Sequence, residues 1–518
     1  MDGRISGGPR VSAVRAWSFT AAMAAVAWLP LIGFLLLIAA GGLVWGGWQM
    51  IALPMLWLLP ALYTRAVLPD ALPGRAVRPD DEPELAALVR DMAERTGFGA
   101  PLLVRILPEP AVLTVRVRTA GGHAYALLLG LPLVRALSAT HLAAVIAHEL
   151  AHERHFDDRR TRALLAARVA LAERLEGRLR PLAPLAAPLL RATQPWPWQE
   201  ELAADAEAAR VVGGDAAREA VERVAVIDAA FDGIAQDWVE DLVEEGSYPV
   251  DLYEAFDLAL QDPLVRARAA REDAEEEDLD VYATATHPPT AVRTAALPHT
   301  GTGTGTSTST STSTSTSTST STSAAYGSAP LVLRDAEVVA EWCVQRLACA
   351  DGPGGTLQAG GGGGALRPED LKPVRLLELD PDRFRLPADG GHRAEALAAA
   401  TGQPSPTGAL RAALDAVADG DWYGLARRMR PQLRWLPAAV RRRLGGQVLA
   451  SAMGAALVPL LLEAGWSCTS RWMSTVLTAP DGTVVDLYEV LVTAVDGGDP
   501  APVHALLDKS GTEKAERA

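Results

Sequence analysis

The 518-residue chain predicts an α+β fold, mainly α, that opens with a two-helix transmembrane hairpin and ends in a separate C-terminal α+β region. Three observations carry this expectation. No charged side chain occurs from Ala16 to Thr64; helical apolar spacing dominates residues 80–297 around a few short alternating runs; and two low-complexity breaks, Thr300–Ser323 and Gly352–Gly364, interrupt the remainder of the chain. Composition narrows the class further. The chain is 49% hydrophobic yet carries a formal charge of −15, so its apolar residues are concentrated rather than spread evenly. That acidity argues against nucleic acid as a partner, because counterion release needs clustered Lys and Arg. Cys343, Cys349 and Cys468 lack CxxC spacing and read as reduced thiols, not as a disulfide framework or a Cys-based zinc site.

The uncharged stretch is too long for one membrane crossing. At 1.5 Å per residue a bilayer core of about 30 Å is spanned by about 20 residues, so residues 16–64 make two helices. Gly41, Gly42, Gly46 and Gly47 supply the turn between them, with Trp45 and Trp48 at one interface and Trp17 and Tyr63 at the other. Arg4, Arg10 and Arg15 precede the pair and Arg65, Arg75 and Arg78 follow it. By the positive-inside rule residues 1–15 and everything after the hairpin are cytoplasmic, which predicts a multi-pass cell-membrane protein with the lipid bilayer as a partner. A cleaved signal peptide fits less well, since its apolar region is short and no second span should follow.

Residues 80–297 read as one folded unit. Glu84–Thr96 has helical spacing through Leu85, Leu88, Val89 and Met92 and stops at Gly97. Leu102–Leu107, Val112–Arg118 and His123–Leu129 suggest a small sheet, and Thr140–Phe156 returns to helix. Residues 298–328 form a Gly/Ser/Thr linker that has nothing to bury. An amphipathic helix occupies 329–350, a Gly-rich linker 351–365, and a C-terminal domain 366–506 contains a hairpin-like unit, Trp472–Tyr488, turning at Pro480-Asp481-Gly482.

The chemistry concentrates in His148-Glu149-Leu150-Ala151-His152. On a helix, residues four apart share a face, so both imidazoles can reach one metal while Glu149 points at the water bound to it. Catalytic zinc takes three protein ligands and keeps a fourth position open, so a further ligand is needed downstream. A metzincin would place Gly at 155 and His at 158, but His155 and Asp158 stand there. The later run Glu201-Leu202-Ala203-Ala204-Asp205 offers Glu201 and Asp205 on one helical face, with Glu200 adjacent. The same carboxylates could simply complement a helix dipole.

HELAH, then ELAAD about fifty residues on, then Thr286-His287-Pro288-Pro289 and Arg293, resembles the HtpX and CAAX prenyl protease type I family of membrane zinc metallopeptidases, gluzincins with a zincin-like domain. The likeness covers roughly residues 85–297. It implies one Zn2+ per subunit held by His148, His152 and Glu201, with Glu149 as general base. It also implies that Asp205 orients a ligand histidine through its other ring nitrogen, with Asp157 and Arg293 in supporting positions. His155 is implied to lie at the surface or beside the ligands rather than on the metal. His287 would steady the oxyanion, occlude the zinc, or only tie its loop down together with Arg293. One departure stands out. Relatives commonly insert membrane spans between the second histidine and the zinc glutamate, but here residues 159–194 are Arg-rich and broken by proline. Leu164, Leu171, Leu175 and Leu179 give that stretch an amphipathic face, for an interfacial or a packed helix. A prenylated CAAX substrate is therefore not implied.

The expected activity is hydrolysis of a protein or peptide by zinc-activated water, with the chain edge of Val112–Arg118 or His123–Leu129 pairing with the extended substrate, and membrane protein quality control as a setting. The alternative is a catalytically silent membrane scaffold with a structural metal and a partner-binding C-terminal region. No oligomeric state is implied.

Overall fold

The computed structural model describes residues 14–28, 72–119, 122–155, 159–176, 183–277, 283–298, 326–349, 370–379, 388–436 and 438–509. An N-terminal helix, α1 (residues 14–28), precedes β1 (Arg75–Val77), α2 (Pro83–Thr96), β2 (Leu102–Leu107), β3 (Val112–Thr119) and β4 (Gly122–Gly130). Next come α3 (Leu131–Ala136), α4 (Ala139–His155), α5 (Arg159–Glu176), α6 (Ala183–Thr193), α7 (Pro195–Val212) and α8 (Gly214–Glu244). After these come β5 (Ser247–Pro249), α9 (Leu252–Ala259), α10 (Pro263–Glu277), α11 (Thr290–Ala296), α12 (Ala336–Cys349) and β6 (Lys372–Val374). The C-terminal part holds α13 (Ala388–Thr401), α14 (Pro406–Ala418), α15 (Trp422–Met429), α16 (Ala438–Glu463), β7 (Ser467–Ser470), β8 (Met473–Thr478), β9 (Val484–Asp486), α17 (Leu487–Gly497) and α18 (Ala501–Lys509).

The first sheet runs β1-β2-β4-β3, with β2 and β4 parallel and the other pairs antiparallel. Its order follows from burial. Ala126, Leu127, Leu128 and Leu129 of β4 are all fully buried, as a strand covered on both faces must be, and this strand is interior. The alternating β3, with Leu113 exposed, is an edge. Of the two candidate edge strands in the sequence, Val112–Thr119 is the one at the sheet edge among the described residues. Gly130 ends β4 where a Cβ would lie 2.2 Å from the Glu109 carbonyl oxygen, a spacing that excludes any other residue.

On this sheet sits α4, whose Leu142, Ala143, Ile146, Ala147, Leu150 and Ala151 are buried against α2, α7 and α8. Helix α2 ends as its sequence suggests, at Gly97 in the left-handed region.

The core does not stop at residue 297. The sequence sets 329–350 apart as a lone amphipathic helix, but Val339, Cys343, Val344 and Leu347 of α12 are buried in the same cluster as α2, α4 and α8. The buried carboxylate of Glu82 accepts from the Arg334 and Asp335 amides at 2.8 and 3.0 Å, capping the approach to α12. Further on, β6 pairs with β5 in parallel, and Asp251 accepts from the Leu376 and Leu377 amides at 2.6 and 3.1 Å. Amphipathicity shows that a helix needs a partner surface, but only long-range packing shows which one.

Two smaller cores flank this one. In the first, Met23 of α1 packs with Leu164, Leu171 and Leu175 of α5 and with Ala183, Ala186 and Leu190 of α6, while Phe19 meets Trp196 edge-on at 5.6 Å. The leucine face of α5 is thus a packed one; Leu179 lies outside the described residues. The second is the C-terminal domain, built around α16 with Leu449, Met453, Leu457 and Leu461 fully buried. It docks on α10 through ion pairs from Arg271 to Asp486 and Glu489 at 3.2 and 3.1 Å.

Of the expected transmembrane hairpin, residues 14–28 are described, as a helix, and the remainder lies outside the described residues. Among the described residues one helix is long and apolar enough to cross a membrane, Val440–Glu463. It is mostly buried inside the C-terminal domain, which makes it a core helix by packing. The expected 351–365 linker falls outside the described residues; of the expected 298–328 linker, residues 298 and 326–328 are described, and the Tyr326 carbonyl accepts from the Thr140 hydroxyl at 3.2 Å.

Because α12 shares the main core, Leu347→Ala should destabilise the whole unit by about 2–5 kcal/mol, as a buried leucine truncation does. Thermal unfolding followed by tryptophan fluorescence checks this. An unchanged transition would mean that α12 folds apart from the rest.

Candidate active site

Three elements build the site. Helix α4 presents His148, Glu149 and His152 one turn apart, α7 presents Glu201 and Asp205 one turn apart, and the segment before α11 brings His287. Small residues at the contact, Ala147 and Ala151 on α4 and Ala204 and Ala208 on α7, are almost completely buried and let the two helices approach closely.

The imidazole Nε2 atoms of His148 and His152 are 3.0 Å apart. Glu201 Oε1 lies 3.1 Å from His152 Nε2, and its Oε2 lies 3.5 Å from His148 Nε2. A tetrahedral ion bound at about 2.0–2.2 Å sets its ligand atoms about 3.3–3.6 Å apart, close to the distances here, so this donor set fits zinc in type and in spacing. His148, His152 and Glu201 form the cluster of potential metal ligands found among the described residues. Glu200, also considered from the sequence, is not part of it.

Behind the cluster, His148 Nδ1 is 2.8 Å from Asp205 Oδ1. Asp205 in turn receives a two-pronged hydrogen bond from Arg293, Nε to Oδ2 at 2.9 Å and Nη2 to Oδ1 at 2.7 Å. This fork fixes the carboxylate plane, and the carboxylate fixes the ring, leaving Nε2 directed at the cluster. His287 Nδ1 lies 2.9 Å from Glu201 Oε2, with most of its ring exposed. The structure thus brings together His148, Glu149, His152, Glu201, Asp205, His287 and Arg293. Asp157 lies outside the described residues, and His155 occupies the last position of α4. The motifs do not mark Arg168, a buried side chain that hydrogen-bonds the segment leading to His287. Its signal in the sequence is a charge placed within the leucine stripe of α5.

Electrostatics follow from burial and pairing. Burial pulls the His148 imidazole down, but hydrogen bonds to Asp205 and Glu201 outweigh it and hold the pKa up at about 9. Burial alone would raise Glu201, yet hydrogen bonds with His148, His152 and His287 drive it far below the carboxylate range. Asp205 is similarly opposed by burial and held at about 2 by Arg293 and His148. Glu149 moves the other way: burial pushes its carboxyl up, with the neighbouring histidines only partly offsetting this.

All of this opens into a cleft of about 1050 Å³ whose walls include Val112, His148, Glu149, Asp205, His287 and Arg293. Val112 begins the edge strand β3, so the cleft runs from the histidine cluster to the sheet edge.

Residues 79–300 match the family model of Peptidase family M48. The match covers α2 through α11 and every residue of the cluster, and it supports a metallopeptidase whose substrates are proteins or peptides. M48 peptidases are zinc-dependent, in keeping with the donor set. No curated protein and no solved structure matches the chain.

Two measurements probe the site as a metal centre. In the metal-free protein His148 is protonated below about pH 9, and that proton must leave when a metal binds. Zinc affinity, read by competition with a chromophoric chelator, should therefore rise by up to about tenfold per pH unit from about 7 to about 9 and then level. Stability of the metal-free chain should run oppositely. A folded pKa raised above the usual 6.5 contributes stability that is complete below that value and lost as pH rises through about 9. Separately, Asp205→Asn should weaken zinc binding about 10–100-fold. Equal affinity would remove Asp205 from the support of His148.

Proposed function

We propose that this protein is a membrane-anchored zinc endopeptidase of the HtpX and CAAX prenyl protease type, acting on membrane or membrane-proximal proteins in quality control. The observation that carries the reading is the convergence of His148, His152 and Glu201 at near-tetrahedral spacing beside the half-buried carboxyl of Glu149, in a cleft that reaches the edge strand β3. The uncharged run from Ala16 to Thr64 supports the anchor, and the arginines on both sides of it support a cytoplasmic catalytic domain.

In this reading His148, His152 and Glu201 hold one zinc. When bound, zinc supplies Lewis acidity, polarising a carbonyl and lowering the pKa of water to about 7. An extended substrate adds to β3 by main-chain hydrogen bonds, which places one peptide carbonyl over the cluster without demanding a particular sequence. Glu149 takes the proton of the attacking water and passes it to the departing amine nitrogen. Its upward-shifted pKa suits both halves of that task, since a base that must return its proton works best near the ambient pH. Arg293 and Asp205 keep the His148 ring in one orientation throughout. His287 Nδ1, 2.9 Å from Glu201 Oε2, competes with a metal for that carboxylate oxygen in the metal-free protein and, once displaced from it, stands close enough to the cluster to steady the oxyanion of the substrate.

Replacing Glu149 by Gln preserves shape and removes the base. The variant should bind zinc with wild-type stoichiometry, measured by atomic absorption, and lose at least about 100-fold in cleavage of denatured casein. Equal cleavage by wild type and variant would sink the assignment, and zinc binding without turnover by either would favour a silent scaffold.

A further inference from the structure

Arg168 lies in α5 on the stripe of Leu164, Leu171 and Leu175, and is fully buried. A leucine would satisfy that stripe; a guanidinium out of water must instead find acceptors. Through Nη1 it donates to the Leu190 carbonyl at 2.5 Å and the Thr193 hydroxyl at 3.0 Å. Through Nη2 it donates to the carbonyl of Ala283 and, at 3.1 Å, to that of Ala285. One side chain therefore joins α5, the end of α6 and the segment that leads into Thr286-His287-Pro288-Pro289.

Ala283 adds a second observation. It is buried and adopts a left-handed backbone with φ of 56°, a conformation alanine avoids unless its surroundings enforce it. Its carbonyl is one of those held by Arg168. On the far side of the loop, Arg293 is fastened to Asp205. His287 thus stands between two arginine anchors, followed by two prolines that fix φ. Between them the exposed imidazole stands 2.9 Å from Glu201, and Thr290 adds a hydrogen bond to Asp273 at 3.4 Å after the two prolines.

We propose that Arg168 is a positioning residue that holds the His287 loop over the cluster, an inference that rests on the peptidase reading of the site for its effect on turnover but not for its effect on the loop. The test uses the full-length protein in detergent, with Arg168→Lys, which keeps the charge but loses the fork, and Thr193→Val, a milder change should the lysine variant fail to fold. Hydrogen exchange on the metal-free protein should accelerate at least about tenfold across Thr284–Arg293 while α4 and α7 keep their protection. Unchanged exchange at Thr284–Arg293 overturns the proposal whatever the activity, and so does acceleration spread equally over α4 and α7, which would mark a general packing role. With zinc, casein cleavage should fall about 10–100-fold in Arg168→Lys, as misplacement of a loop does. Combined with His287→Ala the loss should be no greater than that of His287→Ala alone; multiplying losses would show that Arg168 does not act through His287. A wild-type protein that cleaves nothing would defeat the peptidase reading and leave the exchange result to decide the role of Arg168.

Discussion

The charge on Glu201 is the constraint around which the rest is arranged. A carboxylate taken out of water is costly unless compensated, and here the compensation comes from imidazoles on two separate segments, His148 and His152 on α4 and His287 ahead of α11. Each partner carries its own requirement. His148 needs Asp205 behind it, and Asp205, also buried, needs Arg293. Removing Asp205 or Arg293 would leave a buried partner uncompensated, so these contacts tie α4, α7 and α11 to one register.

That lock works only if the helices come close. Glutamate and histidine side chains are short relative to the usual 8–10 Å between helix axes, so bulky residues at the α4–α7 contact would separate the groups. Alanine at 147, 151, 204 and 208 removes that obstacle. These four residues contribute little apolar area each and leave room for the polar groups to meet. The stability forgone there is recovered away from the cleft, where Leu127, Leu129, Leu142, Ile146 and Leu150 fill the main core.

How much of this is legible in the sequence depends on range. His148, Glu149 and His152 are legible because the four-residue spacing of a helix decides by itself which side chains share a face, and the same holds for Glu201 and Asp205. The link between the two pairs comes from resemblance, since no local rule brings residue 201 to residue 148. The choice of edge strand stays open in the sequence because β3 and β4 both alternate at their ends. Only the pairing of β2 with β4 across an intervening strand assigns the interior position. The membership of α12 in the main core is illegible for a related reason: a linker in the sequence marks where local structure stops, not where packing stops. Arg168 escapes a sequence reading because an arginine among leucines on a helix usually looks solvent-directed, and burial reverses that meaning.

The same packing bears on what the N-terminal segment does for the site. Helix α1 shares its small core with α5 and α6, the two helices that connect the histidine helix to the glutamate helix. Any force on α1 therefore reaches Leu164, Leu171 and Leu190 before it reaches the sheet, and Arg168 lies among these residues with its hydrogen bonds running to Ala283 and Ala285. A dense apolar core transmits displacement because it cannot absorb it in voids. Displacement of α1 therefore bears first on the segment before His287, through Arg168, and only then on His148, whose ring Asp205 holds from α7. The His148 ring is thus oriented from the α7 side, through Asp205, whereas the segment before His287 is held from the α5–α6 side, through Arg168.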